Sequence, residues 1–119
     1  MAKIMIVDDE PSIREIERLV LELEKHTVVE AKSADEAWKM VQTNVPEVIL
    51  LDVMMPGMTP KAFMEKLGKD KKFAKVKVIL VTAVIGAKEV AKGMKMVVAV
   101  IEKPFDNKKL LAAIQKALK

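Results

Sequence analysis

Apolar residues along this chain fall into short unbroken runs separated by stretches of helical spacing, and the two patterns alternate from one end to the other. Ile4–Val7, Thr27–Ala31, Val48–Leu51, Val76–Val81 and Val97–Ile101 predict strands. The run Val48-Ile49-Leu50-Leu51 has no polar interruption, which marks a strand covered on both faces, as in a parallel sheet between layers of helix. Between the runs, three- and four-residue spacings predict helices. Pro11 opens the first, with Ile13, Ile16, Val20 and Leu23 on its inward face. Ser33 and Glu36 form a capping box ahead of a second helix that turns Ala34, Ala37, Trp38 and Val41 inward. Thr59-Pro60 supplies a cap and a first residue for a third, which carries Phe63, Met64 and Leu67 and stops at Gly68. Ala87, Val90, Ala91 and Met94 predict a fourth helix, weakened by Gly86 and Gly93. Asp106 or Asn107 caps the fifth, with Leu110, Leu111, Ile114 and Leu118 inward.

This alternation predicts an α/β fold: a parallel five-stranded sheet with right-handed crossovers and helices on both faces, a three-layer (βα)5 sandwich. A chain of 119 residues holds one core, so residues 1–119 are expected to form one domain. No run of eighteen apolar residues occurs, and Met1-Ala2-Lys3 leads straight into the first strand, so a soluble cytoplasmic protein without membrane insertion is expected. The absence of cysteine excludes disulfides and thiolate metal sites. Net charge is +4, from 21 basic and 17 acidic residues, with lysines gathered between Lys61 and Lys77. These read as a solvated face; direct nucleic-acid binding is not expected, since only Phe63 and Phe73 accompany them as stacking groups. His26, at a helix-to-strand turn, is expected to be exposed, and Trp38 and the methionines to be packing residues.

In open α/β sheets ligands bind outside the carboxyl ends of the strands. At those ends stand Asp8 and Asp9, then Asp52, then Thr82, then Lys103. Three carboxylates against one lysine leave a formal excess of two negative charges, which a divalent cation cancels. Hard oxygen donors suit Mg²⁺ or Mn²⁺, and Mg²⁺ prefers to keep waters and share itself between carboxylates and a phosphate oxygen. Asp52 is then placed to attack phosphorus in line and form an acyl phosphate, with the cation, Lys103 and the Thr82 hydroxyl on the equatorial oxygens. Neither GxxxxGK[ST] nor GxGxxG occurs, so the phosphoryl donor is not expected to be held through a nucleoside.

Four strings carry a resemblance: Ile4-Met5-Ile6-Val7-Asp8-Asp9-Glu10-Pro11, Leu50-Leu51-Asp52-Val53-Met54-Met55-Pro56-Gly57, Val81-Thr82-Ala83 and Lys103-Pro104-Phe105. In this order and spacing the whole chain resembles the receiver domain of two-component response regulators. The resemblance implies a flavodoxin-like, doubly wound sheet of order 2-1-3-4-5. It implies that Asp52 is the phosphoacceptor, charged by a sensor histidine kinase, a phosphotransfer protein or a small phosphodonor. Asp8, Asp9 and Asp52, with the backbone carbonyl of Met54, would hold the metal. Thr82 matches the switch hydroxyl, Lys103 the lysine that pairs with the phosphoryl group, and Lys103-Pro104 the family's cis peptide. Phosphorylation would shift the population toward a conformer that repacks helix four, strand five and helix five, the face offered to a downstream effector protein.

The chain departs from the family at Val100, where many members carry Tyr or Phe, at Met96-Val97 in place of Gly-Ala, and at Thr59-Pro60. Apolar Met54 and Val84 flank the expected phosphate, and neither orients a water, so a long-lived aspartyl phosphate is expected. The reading is a stand-alone response regulator whose output is another protein, since nothing follows the last helix, and not an enzyme beyond its own phosphorylation and dephosphorylation. Two alternatives are an aspartyl-phosphate phosphatase or phosphotransferase and a phosphorylation-independent pseudo-receiver. Haloacid-dehalogenase-like enzymes want a second acid two residues after the nucleophile, where this chain has Met54; the complete acidic site speaks against the pseudo-receiver.

Overall fold

All four residues of β3 (Val48–Leu51) are buried, and their side chains divide between two separate cores. Successive side chains of a strand leave on opposite faces. Ile49 and Leu51 accordingly join a cluster with Met5, Val7, Ala37 and Phe63, while Val48 and Leu50 join one with Ile4, Ile6, Val20 and Leu110. Fully burying a side chain of this size stabilises the fold by roughly 2 kcal/mol, and β3 does so on both sides.

The computed structural model describes residues 2–53, 57–83, 95–103 and 105–118. β1 (Lys3–Val7), β2 (Thr27–Ala31), β3, β4 (Lys77–Thr82) and β5 (Val97–Glu102) form one parallel sheet in the order β2-β1-β3-β4-β5, as the family resemblance implies. The described α-helices are α1 (Pro11–Leu23), α2 (Ala34–Val41), α3 (Pro60–Gly68) and α4 (Asn107–Leu118), the last being the fifth helix of the sequence reading. A 3₁₀ turn spans Lys71–Phe73. α2 and α3 supply one core and α1 and α4 the other, which makes three layers. The predicted fourth helix, Val84, Met54 and the Lys103-Pro104 peptide lie outside the described residues.

Local chemistry sets the ends of these elements. The Ser33 hydroxyl accepts from the Glu36 N–H at 3.1 Å, and the Glu36 carboxylate reaches back to the Lys32 N–H, one residue before the cap. Thr59 caps α3 through the Ala62 N–H. Asp106, the first of the two candidates, accepts from the Lys108 N–H at 2.8 Å at the start of α4.

Three readings of facing need correction. On α1 the buried residues are Glu17, Val20 and Leu21, whereas Ile16 is 47% and Leu23 82% exposed. On α4 Ala117 is buried and Leu118 points outward. His26 is half-buried, and its Nδ1 accepts a hydrogen bond from the Ala2 N–H at 3.2 Å. Lys61, Lys66, Lys69, Lys71, Lys72 and Lys75 are exposed, in keeping with a solvated face. Val100 is half-buried against the α2–α3 core. Among the described residues no helix is long and apolar enough to cross a membrane.

Candidate functional site

Thr82 closes β4, while Asp8, Asp52 and Lys103 are each held one ladder step beyond their strands. The Asp8 N–H donates to the Ala31 carbonyl at 3.1 Å, the Asp52 N–H to the Val7 carbonyl at 3.0 Å, and the Lys103 N–H to the Thr82 carbonyl at 2.8 Å. The register that pairs Val7 with Leu51 therefore sets Asp8 beside Asp52. Continuing the strand alternation, Asp8 follows Ile4 and Ile6, Asp52 follows Val48 and Leu50, and Lys103 follows Ile101. All three thus fall on the parity of the core shared by α1 and α4.

The side chains converge. Lys103 Nζ donates to Asp8 Oδ2 at 2.7 Å and lies 3.5 Å from Asp52 Oδ2. Asp8 and Asp52 are 2% and 4% exposed, and Thr82 is fully buried. Burial alone would push the Lys103 ammonium down; the hydrogen bond to Asp8 and the charges of Asp8, Asp52 and Glu10 outweigh it and hold the group above the ordinary lysine value. Both oxygens of Asp8 are engaged, since Oδ1 accepts from the Glu10 N–H at 2.9 Å. Arg14 of α1 donates to the Asp8 carbonyl at 2.6 Å and pairs with Glu30 of β2 at 3.2 Å, which ties the loop after β1 to its neighbours.

Asp9 is exposed on that loop. Asp8, Asp9 and Glu10 each offer a carboxylate oxygen, and the three oxygens lie within 4.8 Å of one another. Hard oxygen donors gathered in so small a space, with a lysine already drawn in to offset their charge, fit Mg²⁺. Asp52 is not part of that group and meets it through the ammonium it shares with Asp8. Met54, expected to give a backbone carbonyl, lies outside the described residues. Glu10 was not anticipated as a member.

A second residue escaped the sequence reading. Glu17, on the inward face of α1, is 1% exposed, and its Oε2 has no hydrogen-bond partner among the described residues. Burial, then the charge of Asp8, with smaller contributions from Asp52 and Glu30, raises its pKa to about 8; Lys103 alone opposes them. The signal was present: Ile13, Glu17 and Leu21 stand four residues apart on a single helical stripe.

Comparison with known proteins gives consistent results. Residues 4–115 match the family model described as the response regulator receiver domain. The chain is 32% identical over 117 residues to the response regulator Rre1 of Synechocystis sp., covering 97% of this chain and 51% of that protein. It therefore spans about half the length of that relative. It is also 32% identical to the protein PilH of Pseudomonas aeruginosa, covering 99% of this chain and 98% of PilH. Among solved structures, the chemotaxis protein CheY4 of Vibrio cholerae superposes with a TM-score of 0.88 at 27% identity, covering 98% of each chain.

Proposed function

Because the chain belongs to the response regulator receiver domain family, we propose that it is a phosphorylation switch in which Asp52 accepts a phosphoryl group in a Mg²⁺-dependent reaction. The observation that carries this reading is the Lys103 ammonium lying between Asp8 Oδ2 at 2.7 Å and Asp52 Oδ2 at 3.5 Å. An Asp52 carboxylate oxygen bonds to phosphorus as the bond from phosphorus to the imidazole nitrogen of a phosphohistidine breaks, and the freed nitrogen takes a proton from water. Lys103 swings from Asp8 to the phosphoryl oxygens, and the Thr82 hydroxyl donates to one of them. Asp8, Asp9 and Asp52, with the Met54 carbonyl that the family resemblance implies, would hold a divalent cation, which would supply charge neutralisation at those oxygens. The donor is a sensor histidine kinase or a phosphotransfer protein of the cytoplasm. The output is an effector protein, met on the face that includes β5 and α4. The chain acts as a switch and catalyses only its own phosphorylation and dephosphorylation.

Acetyl phosphate with Mg²⁺ tests this. A single phosphate should appear by mass on the native chain, depend on the cation, map to Asp52 and be lost in Asp52→Asn. Continuous turnover of a substrate would favour a phosphatase instead, and no mass gain under any donor would favour a binding module. Decay of the phosphorylated protein should be slow and should quicken in Met54→Asn.

A further inference from the structure

Glu17 is the feature that the proposed phosphoryl chemistry leaves unused. Burying a carboxyl group without hydrogen bonds is costly, and a helix that faces a hydrophobic core ordinarily turns an apolar residue inward at such a position. Here Val20 and Leu21 of the same helix pack into the core, and the buried Glu17 Oε2 has no hydrogen-bond partner among the described residues. The elements packed against α1 bring few charges toward it. Among the described residues Asp8 follows β1, Asp52 follows β3, β2 contributes Glu30, and the segment after β5 contributes Lys103. α4 turns Leu110, Ile114 and Ala117 inward, none of which carries charge. Three acids and one base therefore act on this buried carboxyl, and the base is held by Asp8 at 2.7 Å.

We infer that Glu17 is a proton reservoir coupled to the cation site: it holds its proton while Asp8 and Asp52 are without a divalent cation and releases it to bulk water when one binds. The inference rests on the proposed reading of Asp8, Asp9 and Asp52 as cation ligands. A cation there offsets the charge of Asp8 and Asp52, two of the carboxylates that keep Glu17 protonated. It also competes with Lys103 for Asp8 Oδ2, so the ammonium is freed to compensate a new carboxylate. The Glu17 O–H bond breaks, the proton passes to solvent, and the negative charge remains on Glu17. Free of metal, the carboxyl titrates near 8, so at pH 7.5 it is about three-quarters protonated and has a proton to give. Linkage makes the coupling reciprocal: if the cation lowers the Glu17 pKa by one unit, deprotonation tightens cation binding about tenfold.

Two measurements on the full chain test it. With ¹³C-labelled glutamate, the Glu17 carboxyl resonance is followed from pH 5 to 10, without and with saturating Mg²⁺. The midpoint should lie near 8 without the cation and fall by at least about one unit with it. Calorimetric Mg²⁺ titrations at pH 7.5 in buffers of different ionisation enthalpy should show roughly half a proton more released per cation by the native chain than by Glu17→Gln, which keeps the shape and cannot ionise. Glu17→Leu serves if the amide fails to fold, and the carboxyl titration needs no variant. Cation binding that leaves the Glu17 midpoint unmoved overturns the inference while the cation site stands. An ordinary Glu17 midpoint without metal also overturns it. If Mg²⁺ shifts neither the Asp9 nor the Asp52 amide resonance, the cation site and the inference fall together.

Discussion

Lys103 donates to Asp8 at 2.7 Å across 95 residues of sequence, and both groups are largely withdrawn from solvent. Two buried carboxylates, Asp8 and Asp52, lie within 2.7 and 3.5 Å of that ammonium. Removing one member of such a cluster leaves uncompensated charge, so Lys103→Met should cost about 3 kcal/mol in the absence of metal. The same change removes the group that competes with a cation for Asp8. Mg²⁺ should therefore raise the melting temperature of Lys103→Met more than that of the native chain, and bind it several-fold more tightly. Thermal denaturation with and without Mg²⁺ reads both effects; equal stabilisation of the two proteins would argue against a cation at Asp8.

Glu17 should make stability depend on pH in a definite direction. Its folded pKa is raised from the ordinary 4.5 to about 8, so between those values the folded chain binds more protons than the unfolded one. Stability is then fully present below about pH 4.5, falls as pH rises, and levels off above about pH 8. The total loss is on the order of 5 kcal/mol. Glu17→Leu removes this dependence and should be more stable than the native chain at pH 8 by an amount of that order. Urea unfolding at pH 5, 7 and 9 checks it; a native profile parallel to that of Glu17→Leu would contradict a buried, protonated Glu17.

Residue patterns revealed the strands because a two-sided buried strand leaves little choice. Val48-Ile49-Leu50-Leu51 has no polar position to spare, and once β1 and β3 are parallel neighbours, Asp8 and Asp52 must surface side by side. β1 and β4 begin one residue away from the expectation, at Lys3 and Lys77, and β4 and β5 each run one residue further at their carboxyl ends, because Thr82 and Glu102 still pair in the ladder although neither is apolar. Helix facing was less legible. Leu19, Val20, Leu21 and Leu23 crowd one stretch of α1 and admit two adjacent stripes, and the choice that keeps every charge outside is the wrong one. What decides is the sheet below: Ile4, Ile6 and Leu50 take Val20 and Leu21, and the helix geometry then carries Glu17 inward with them. Glu10 escaped notice for the opposite reason. Spacing between strand ends identifies residues brought together by the sheet, whereas Asp8, Asp9 and Glu10 are brought together by a turn.

α1 ends in a turn that a better residue would improve. The Lys25 N–H donates to the Glu22 carbonyl at 2.9 Å and the His26 N–H to the Leu21 carbonyl at 3.1 Å, the paired bonds of a Schellman motif. That motif puts Lys25 in the left-handed region, at φ 65°, where a side chain crowds its own carbonyl. Lys25→Gly should stabilise the chain by about 1 kcal/mol, with the wider freedom of glycine in the unfolded chain taking back part of the gain. Urea midpoints of the two proteins decide it, and a destabilised variant would mean that the Lys25 side chain contributes contacts of its own.

Gly57, five residues beyond Asp52, is fixed by geometry on two counts. Its φ is 91°, and a Cβ there would lie 2.6 Å from Asp35 Oδ2, the oxygen that accepts from the Met58 N–H at 3.2 Å. Backbone strain and the displaced carboxylate are separable costs. Gly57→Ala should lose roughly 2 kcal/mol. In an Asp35→Ala background the loss should be smaller, because the obstructing oxygen is gone and only the strained φ remains. A double-mutant cycle in urea measures the difference directly. If Gly57→Ala costs the same in both backgrounds, the Asp35 carboxylate does not obstruct a side chain at Gly57, and the strained φ carries the whole cost.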